Sequence, residues 1–417
     1  MFKTNSESIA PAATGEEITS AVSYSKTEEK KVTRKETPSA NPLQGIRDVV
    51  CLSHLRWDFV YQRPQHLLSR FALHARVFFV EEPVFVDCQE PYLQVTEREG
   101  KVQLVVPHMP HGLSPEAVEE AQRRLLDELF AEQKIADYLF WYYTPMALGF
   151  TSHFKPAMTV YDCMDELSAF RFAPAQLKER ELALFQKADL VFTGGQSLYE
   201  AKKKQHPQAY AFPSSIDKMH FAQARTRLPE PADQAAVPAP RIGFFGVIDE
   251  RMDLDLLEAM ATARPEWQLI MIGPVVKIDP ATLPRHANIH YLGGKSYKEL
   301  PAYLSGWDVA LLPFAINEST EFISPTKTPE YLAAGKPVVS TPIRDVIRPY
   351  GEQGLVHIAA TPEAFIAAVE QALTQQQDEL WLAAVDDFMA DLSWDTTWGS
   401  MAKLITDALE LKKQRKS

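Results

Sequence analysis

Phe322-Ile-Ser-Pro-Thr-Lys-Thr-Pro-Glu-Tyr-Leu-Ala-Ala-Gly-Lys-Pro-Val-Val-Ser-Thr341 is the stretch on which the reading of this chain turns. Ser324 to Thr328 form a polar turn, and Pro329 suits the first turn of a helix. The apolar helical run stops at Gly335, and Pro337 to Ser340 read as a short strand. A polar loop feeding a helix N-terminus favours an anion, because the first-turn amides are free and the dipole end is positive. Lys327 adds a mobile positive charge there, with Ser324 and Thr326 in the same turn. Glu330, one turn in, is placed to accept hydrogen bonds from vicinal hydroxyls a ribose ring away from that phosphate. The plainer reading stands beside it: a Ser/Thr-capped helix of an α/β fold with a charged residue facing solvent.

Outward from this stretch, strand, loop and helix alternate. Asp48-Val-Val-Cys-Leu-Ser53, Arg76–Val80, Tyr138–Tyr143, Met158–Tyr161 and Asp189–Thr193 read as buried parallel strands. Tyr92–Val95 and Val102–Val106 read as a hairpin, and Pro115–Gln133 as an amphipathic helix. A second series begins at Arg241-Ile-Gly-Phe-Phe-Gly-Val-Ile248 and continues through Trp267–Ile272, Ile289–Leu292 and Val309–Leu312. Such alternation gives parallel sheets covered by helices on both faces. Between the two series, 228–240 holds four prolines and almost no apolar period, and is expected to be the linker. Residues 1–44 are rich in Ser, Thr, Glu, Lys and Ala without periodicity, which predicts a disordered tail.

Composition narrows the function. A chain of 417 residues exceeds what one core usually supports. Its net charge of -12 argues against a nucleic-acid partner. Cys51, Cys88 and Cys163 show no metal-ligand spacing, which predicts a reducing cytoplasmic setting. No apolar run approaches the ~20 residues of a spanning helix, so any membrane contact is expected to be peripheral.

Loops at the carboxyl ends of strands are where open α/β sheets bind ligands. After the first strand comes His54-Leu-Arg-Trp-Asp-Phe-Val-Tyr-Gln-Arg-Pro64, without a glycine-rich dinucleotide fingerprint but crowded with aromatic and planar polar groups. Trp57, Gln62, Arg63 and His66 are the expected acceptor contacts, against a loop that merely packs on its own domain. Met158–Tyr161 runs into Asp162-Cys-Met-Asp-Glu166, three carboxylates at a strand end. Asp165, or Asp162, is the expected catalytic group on an acceptor hydroxyl, with helix capping as the alternative.

The S-P-x-K-x-x-E-Y-x-A-x-G-K-P-V-V-S pattern resembles the donor-site signature of GT-B glycosyltransferases, in particular the bacterial family-1/family-4-like enzymes of exopolysaccharide and teichuronic acid synthesis. Gly243-Phe-Phe-Gly246, Tyr291-Leu-Gly293, Trp307-Asp-Val-Ala-Leu-Leu-Pro313 and Pro213-Ser-Ser-Ile-Asp217 with Phe221 match in the same order, over roughly residues 46–410. The resemblance implies an α/β GT-B fold of two Rossmann-like, doubly wound parallel-sheet domains facing across a cleft. It assigns 45–227 to the acceptor, 241–390 to the donor, and 391–417 to a helix crossing back. It implies transfer of a hexose from a nucleotide diphosphate sugar to a saccharide or lipid-linked acceptor, retaining in most related enzymes, with no cofactor and no metal. The implied donor set is Gly246, Arg251, Ser324, Thr326, Lys327 and Glu330.

Three positions depart from the family pattern. Met164 falls where a histidine is common, Phe322 falls where a first glutamate stands eight residues before Glu330, and Ser214 and Ser215 replace Asn and Gly. A nucleotide-sugar epimerase and a non-catalytic scaffold on the same fold are the rival readings. Survival of Lys327 and Glu330 argues against the scaffold.

Overall fold

The computed structural model describes Leu43, residues 45–375 and residues 378–416. The tail expected over 1–44 lies outside the described residues except for Leu43, which is buried.

The first sheet is built from β1 (Asp48–Ser53), β2 (Arg76–Glu81), β3 (Val84–Val86), β4 (Tyr92–Arg98), β5 (Val102–Pro110), β6 (Tyr138–Tyr142), β7 (Met158–Cys163), β8 (Leu190–Thr193) and β9 (Ala209–Ala211). Their order is β3-β5-β2-β1-β6-β7-β8-β9, parallel throughout except for β4, which runs antiparallel along β5. The expected hairpin is therefore longer than its apolar residues suggested, and its second strand is a member of the main sheet, paired with β2. All six residues of β1 are buried. Alternate side chains point to opposite faces of a strand. Val49 and Cys51 therefore join the core under helices Arg63–Phe71 and Trp394–Lys416, while Val50 and Leu52 join the core under helices Pro115–Gln133 and Leu177–Lys187.

The second sheet holds β10 (Arg241–Phe245), β11 (Gln268–Ile272), β12 (Ile289–Gly293), β13 (Val309–Leu312), β14 (Val338–Ser340) and β15 (His357–Ile358), all parallel, in the order β12-β11-β10-β13-β14-β15. The helix Trp394–Lys416 places Trp394, Met401, Ile405 and Leu409 in the first lobe's core. The segment 228–240 is more than a tether. It forms a helical turn at Ala232–Ala235 whose Gln234 is fully buried, donating to the Tyr303 carbonyl at 3.0 Å and accepting from the Trp307 indole at 2.9 Å.

Candidate active site

The helix Lys327–Ala333 carries the decisive stretch and stands between β13 and β14. Tyr331 and Leu332 are fully buried on its inner face, and the Tyr331 hydroxyl accepts a hydrogen bond from the Phe245 amide at 2.9 Å. That anchoring fixes the outer face one turn away. Gly335, with φ +69°, ends the helix. Lys327 is partly exposed and crosses over Gly246 at the end of β10, its ammonium 5.8 Å from the Phe244 ring centroid. Gly246 has φ +144°, and a Cβ there would overlap the Lys327 side chain. A glycine is required on both counts. Burial pushes the Glu330 carboxyl up and the Lys327 ammonium down, while each charge opposes the other's shift. An anion bound beside the two would favour the charged form of the lysine.

Across the cleft stands Asp165, in the loop after β7. Burial raises its carboxyl to about 6, against the pull of Arg251, Arg63 and Lys277. The same loop brings the Phe170 ring against both second-lobe cations, with the Arg251 guanidinium at 5.4 Å and the Lys277 ammonium at 4.8 Å from its centroid. Arg251 is not a free cation: its Nε and Nη2 donate to the nearly buried Asp249 carboxylate at 3.0 and 2.7 Å. Ser324 and Thr326 are half-buried at the start of the helix, and Ser324 lies against Gly195 of the first lobe. The structure thus gathers Gly246, Arg251, Lys327, Glu330 and Asp165 around one cleft, with Ser324 at its first-lobe wall.

Other expected site residues are placed elsewhere, which corrects the sequence reading. Arg63 and Asp162 are both fully buried and bind each other in a fork, Nε to Oδ2 at 2.9 Å and Nη2 to Oδ1 at 2.8 Å, while Nη1 donates to the Phe212 carbonyl at 2.6 Å. Neither the acceptor contact expected of Arg63 nor the catalytic role offered to Asp162 fits groups so fully engaged. Trp57 is in the core, its ring 5.0 Å from Phe79. His66 is buried, stacked on Trp394 at 4.5 Å, and burial pulls its imidazole down to about 3. It joins the crossing helix to the first lobe. Gln62 remains half-buried, its amide donating to Gln65 Oε1 at 2.9 Å where the helix begins.

Three cleft residues escaped the sequence reading. Lys277 is a lone lysine three residues beyond Gly273-Pro274, with no motif around it. His54 follows β1 directly, so its strand-end position was the available signal. Its ring is held neutral, pulled down to about 4 by burial, with Lys277 adding to the shift, and its Nδ1 is buried without a partner. Tyr297 stacks on His220 at 4.2 Å and meets the Tyr61 ring of the first lobe at 4.7 Å, tilted by 31°. Its buried hydroxyl has no partner, and burial raises its pKa, with the Glu330 charge adding to the shift.

Residues 239–375, most of the second lobe, match the family described as Glycosyl transferases group 1. Over 311 residues the chain is 24% identical to a putative teichuronic acid biosynthesis glycosyltransferase, TuaH, of Bacillus subtilis (strain 168), covering 70% of this chain and 76% of that one. Among solved structures, alpha,alpha-trehalose 6-phosphate synthase from Burkholderia multivorans superposes with a TM-score of 0.63 at 13% identity, over 89% of this chain and 98% of that one. HepE of Anabaena, determined in complex with UDP and glucose, superposes with a TM-score of 0.56 at 14% identity, over 88% and 98%. Among the described residues no helix is long and apolar enough to cross a membrane.

Proposed function

We propose that this chain, a group 1 glycosyltransferase with the GT-B fold, moves a hexose from a nucleotide diphosphate sugar to a saccharide or lipid-linked acceptor in the synthesis of a cell-surface polysaccharide. The observation that carries the reading is the Lys327–Glu330 pair at a helix start, laid over Gly246 and facing Asp165 across the cleft. Glu330 takes the ribose hydroxyls, and Tyr297 adds its hydroxyl beside it. Lys327, the first-turn amides of its helix, Arg251 and Lys277 neutralise the diphosphate as the glycosidic bond breaks and negative charge moves onto the leaving phosphate. Arg251 serves through an exchange in which phosphate shares it with Asp249. Asp165 holds the acceptor hydroxyl, and the proton leaves either to its carboxylate or, in a retaining reaction, to the departing phosphate. Four positive elements around the diphosphate support a metal-independent reaction without a cofactor.

A panel of nucleotide diphosphate sugars in a thermal-shift assay tests this: one donor is expected to stabilise the protein by several degrees and to be consumed only with an acceptor. Release of free nucleotide without any acceptor would instead favour the epimerase. Glu330→Ala is expected to weaken donor binding by roughly 1.5 to 3 kcal/mol, the range for hydrogen bonds to a charged group. Unchanged affinity for the free nucleotide diphosphate in calorimetry would sink that assignment. Lys327→Ala is expected to lower turnover on the order of 10²-fold, as for loss of one transition-state donor, with little change in melting temperature. Wild-type activity is expected to survive EDTA. Activity abolished by EDTA and restored by magnesium would overturn this account of the phosphate chemistry.

A further inference from the structure

We propose that a cavity in the first lobe binds an aliphatic chain, the aglycone of a lipid-linked acceptor, with the reacting sugar extending from it toward Asp165. The proposal rests on the transfer reading above and narrows its acceptor class. The cavity encloses about 460 Å³, a usual size for a small-molecule site. Leu52 and Ser53 at the end of β1, Val80 and Glu81 at the end of β2 and Thr144 just after β6 line its floor. This is the carboxyl edge of the sheet, the edge from which His54 and Asp165 also emerge.

The chemistry of the walls selects the occupant. Glu81, Glu119 and Arg180 are each held by other protein groups, while Glu82, Gln122 and Gln176 add polar side chains to the lining. The Glu81 carboxylate accepts from Arg56 Nη1 at 2.9 Å and from the Trp57 amide at 2.7 Å. Glu119 accepts from Arg180 Nη2 at 2.8 Å, and Arg180 Nη1 donates to the Met146 carbonyl at 2.7 Å. The Glu119–Arg180 pair is tucked against Gly149, where a Cβ would overlap both side chains, so the absence of a side chain keeps the pair in the wall. Ser53 and Thr144 hydroxyls accept from the Leu55 and Met146 amides. A phosphate would find the Arg180 guanidinium already engaged and the Glu81, Glu82 and Glu119 carboxylates of its own sign. Most of the surface left for a ligand is apolar: Leu52, Val80, Leu113, Val118 and Phe150, with the Phe85 ring 46% exposed at the wall. Removing such surface from water is what a hydrocarbon chain does on binding.

Fluorescence titration of the full chain with N-phenyl-1-naphthylamine, a neutral apolar probe, tests the site. Saturable binding at one site per chain is expected. Val118→Trp, which fills the cavity, is expected to weaken it roughly tenfold, the order set by apolar surface no longer buried. Phe85→Ala, at an exposed position with little folding risk, is expected to weaken it less. Nucleoside diphosphate affinity by calorimetry is expected to stay unchanged in both. In transfer assays with alkyl glycosides of increasing chain length, KM is expected to fall with length in the wild type and to stay flat in Val118→Trp. No saturable probe binding, or equal binding by a folded Val118→Trp, overturns the cavity as an apolar site. Blocked probe binding with a KM indifferent to chain length overturns the acceptor role. Failure of every nucleotide sugar to give transfer while probe binding holds would instead sink the transfer reading, and the acceptor role with it.

Discussion

Asp165→Asn is expected to leave nucleotide binding intact and to slow transfer by on the order of 10² to 10⁴, the worth of a positioned general base. The substitution keeps shape and removes charge. Its geometry motivates the size of the effect: the carboxyl stands in the first lobe, facing Arg251 and Lys277 of the second, whereas the groups proposed to bind the nucleotide all belong to the second lobe. Burial raises the Asp165 carboxyl from 3.8 to about 6, so the wild-type transfer rate is expected to climb with pH through about 6 as the base loses its proton. In a retaining reaction assisted by the leaving phosphate, the loss is expected to be smaller and to show as weaker acceptor binding.

Stability gives a second readout for the same variant. A carboxyl whose folded pKa lies above its unfolded value holds its proton more tightly in the fold. Its favourable contribution is full below about pH 4 and is lost as pH rises through about 6. Asp165→Asn escapes that loss, so its melting temperature is expected to gain on the wild type between those values, by at most about 3 kcal/mol in free energy. Near-normal transfer at every acceptor concentration, with the pH dependence of stability unchanged, would leave Asp165 without a role in the reaction. The search would then move to His54, whose neutral ring and unpartnered Nδ1 share this cleft.

What the sequence disclosed follows from how far apart the interacting groups lie along the chain. Ser324, Lys327 and Glu330 fall within seven consecutive residues, so their helix, its start and its charges could be read together. The parallel sheets were equally legible, because strands buried on both faces leave continuous apolar runs such as 48–53. Boundaries were less so: the helix Gln196–Lys202 starts where the Ser197 amide and hydroxyl donate to Asp345, 148 residues away, a contact no local pattern announces. Phe170 meets Lys277 across more than a hundred residues, with no periodicity to announce it. A charged residue in a strand-end loop carries no mark in one sequence to tell whether it faces a ligand or another residue. Arg63 and Asp162 were misread for that reason.

Arg63→Ala is accordingly expected to act on the fold, destabilising it by about 3 to 5 kcal/mol, because it strands a buried carboxylate. The cost comes from Asp162, which has no exposure to water and loses both of its guanidinium bonds, and from the Phe212 carbonyl, which loses its donor. Removing both charges is a different matter: a buried ion pair spends most of its attraction on desolvation, so Arg63→Met with Asp162→Leu is expected to recover much of the loss. Urea denaturation of the two single variants and the double variant measures the coupling between them. A purely structural pair predicts that the double variant, once folded, keeps its KM for acceptor. A stable Arg63→Ala protein with a raised acceptor KM would return Arg63 to the substrate, and would mean that the fork opens when acceptor binds.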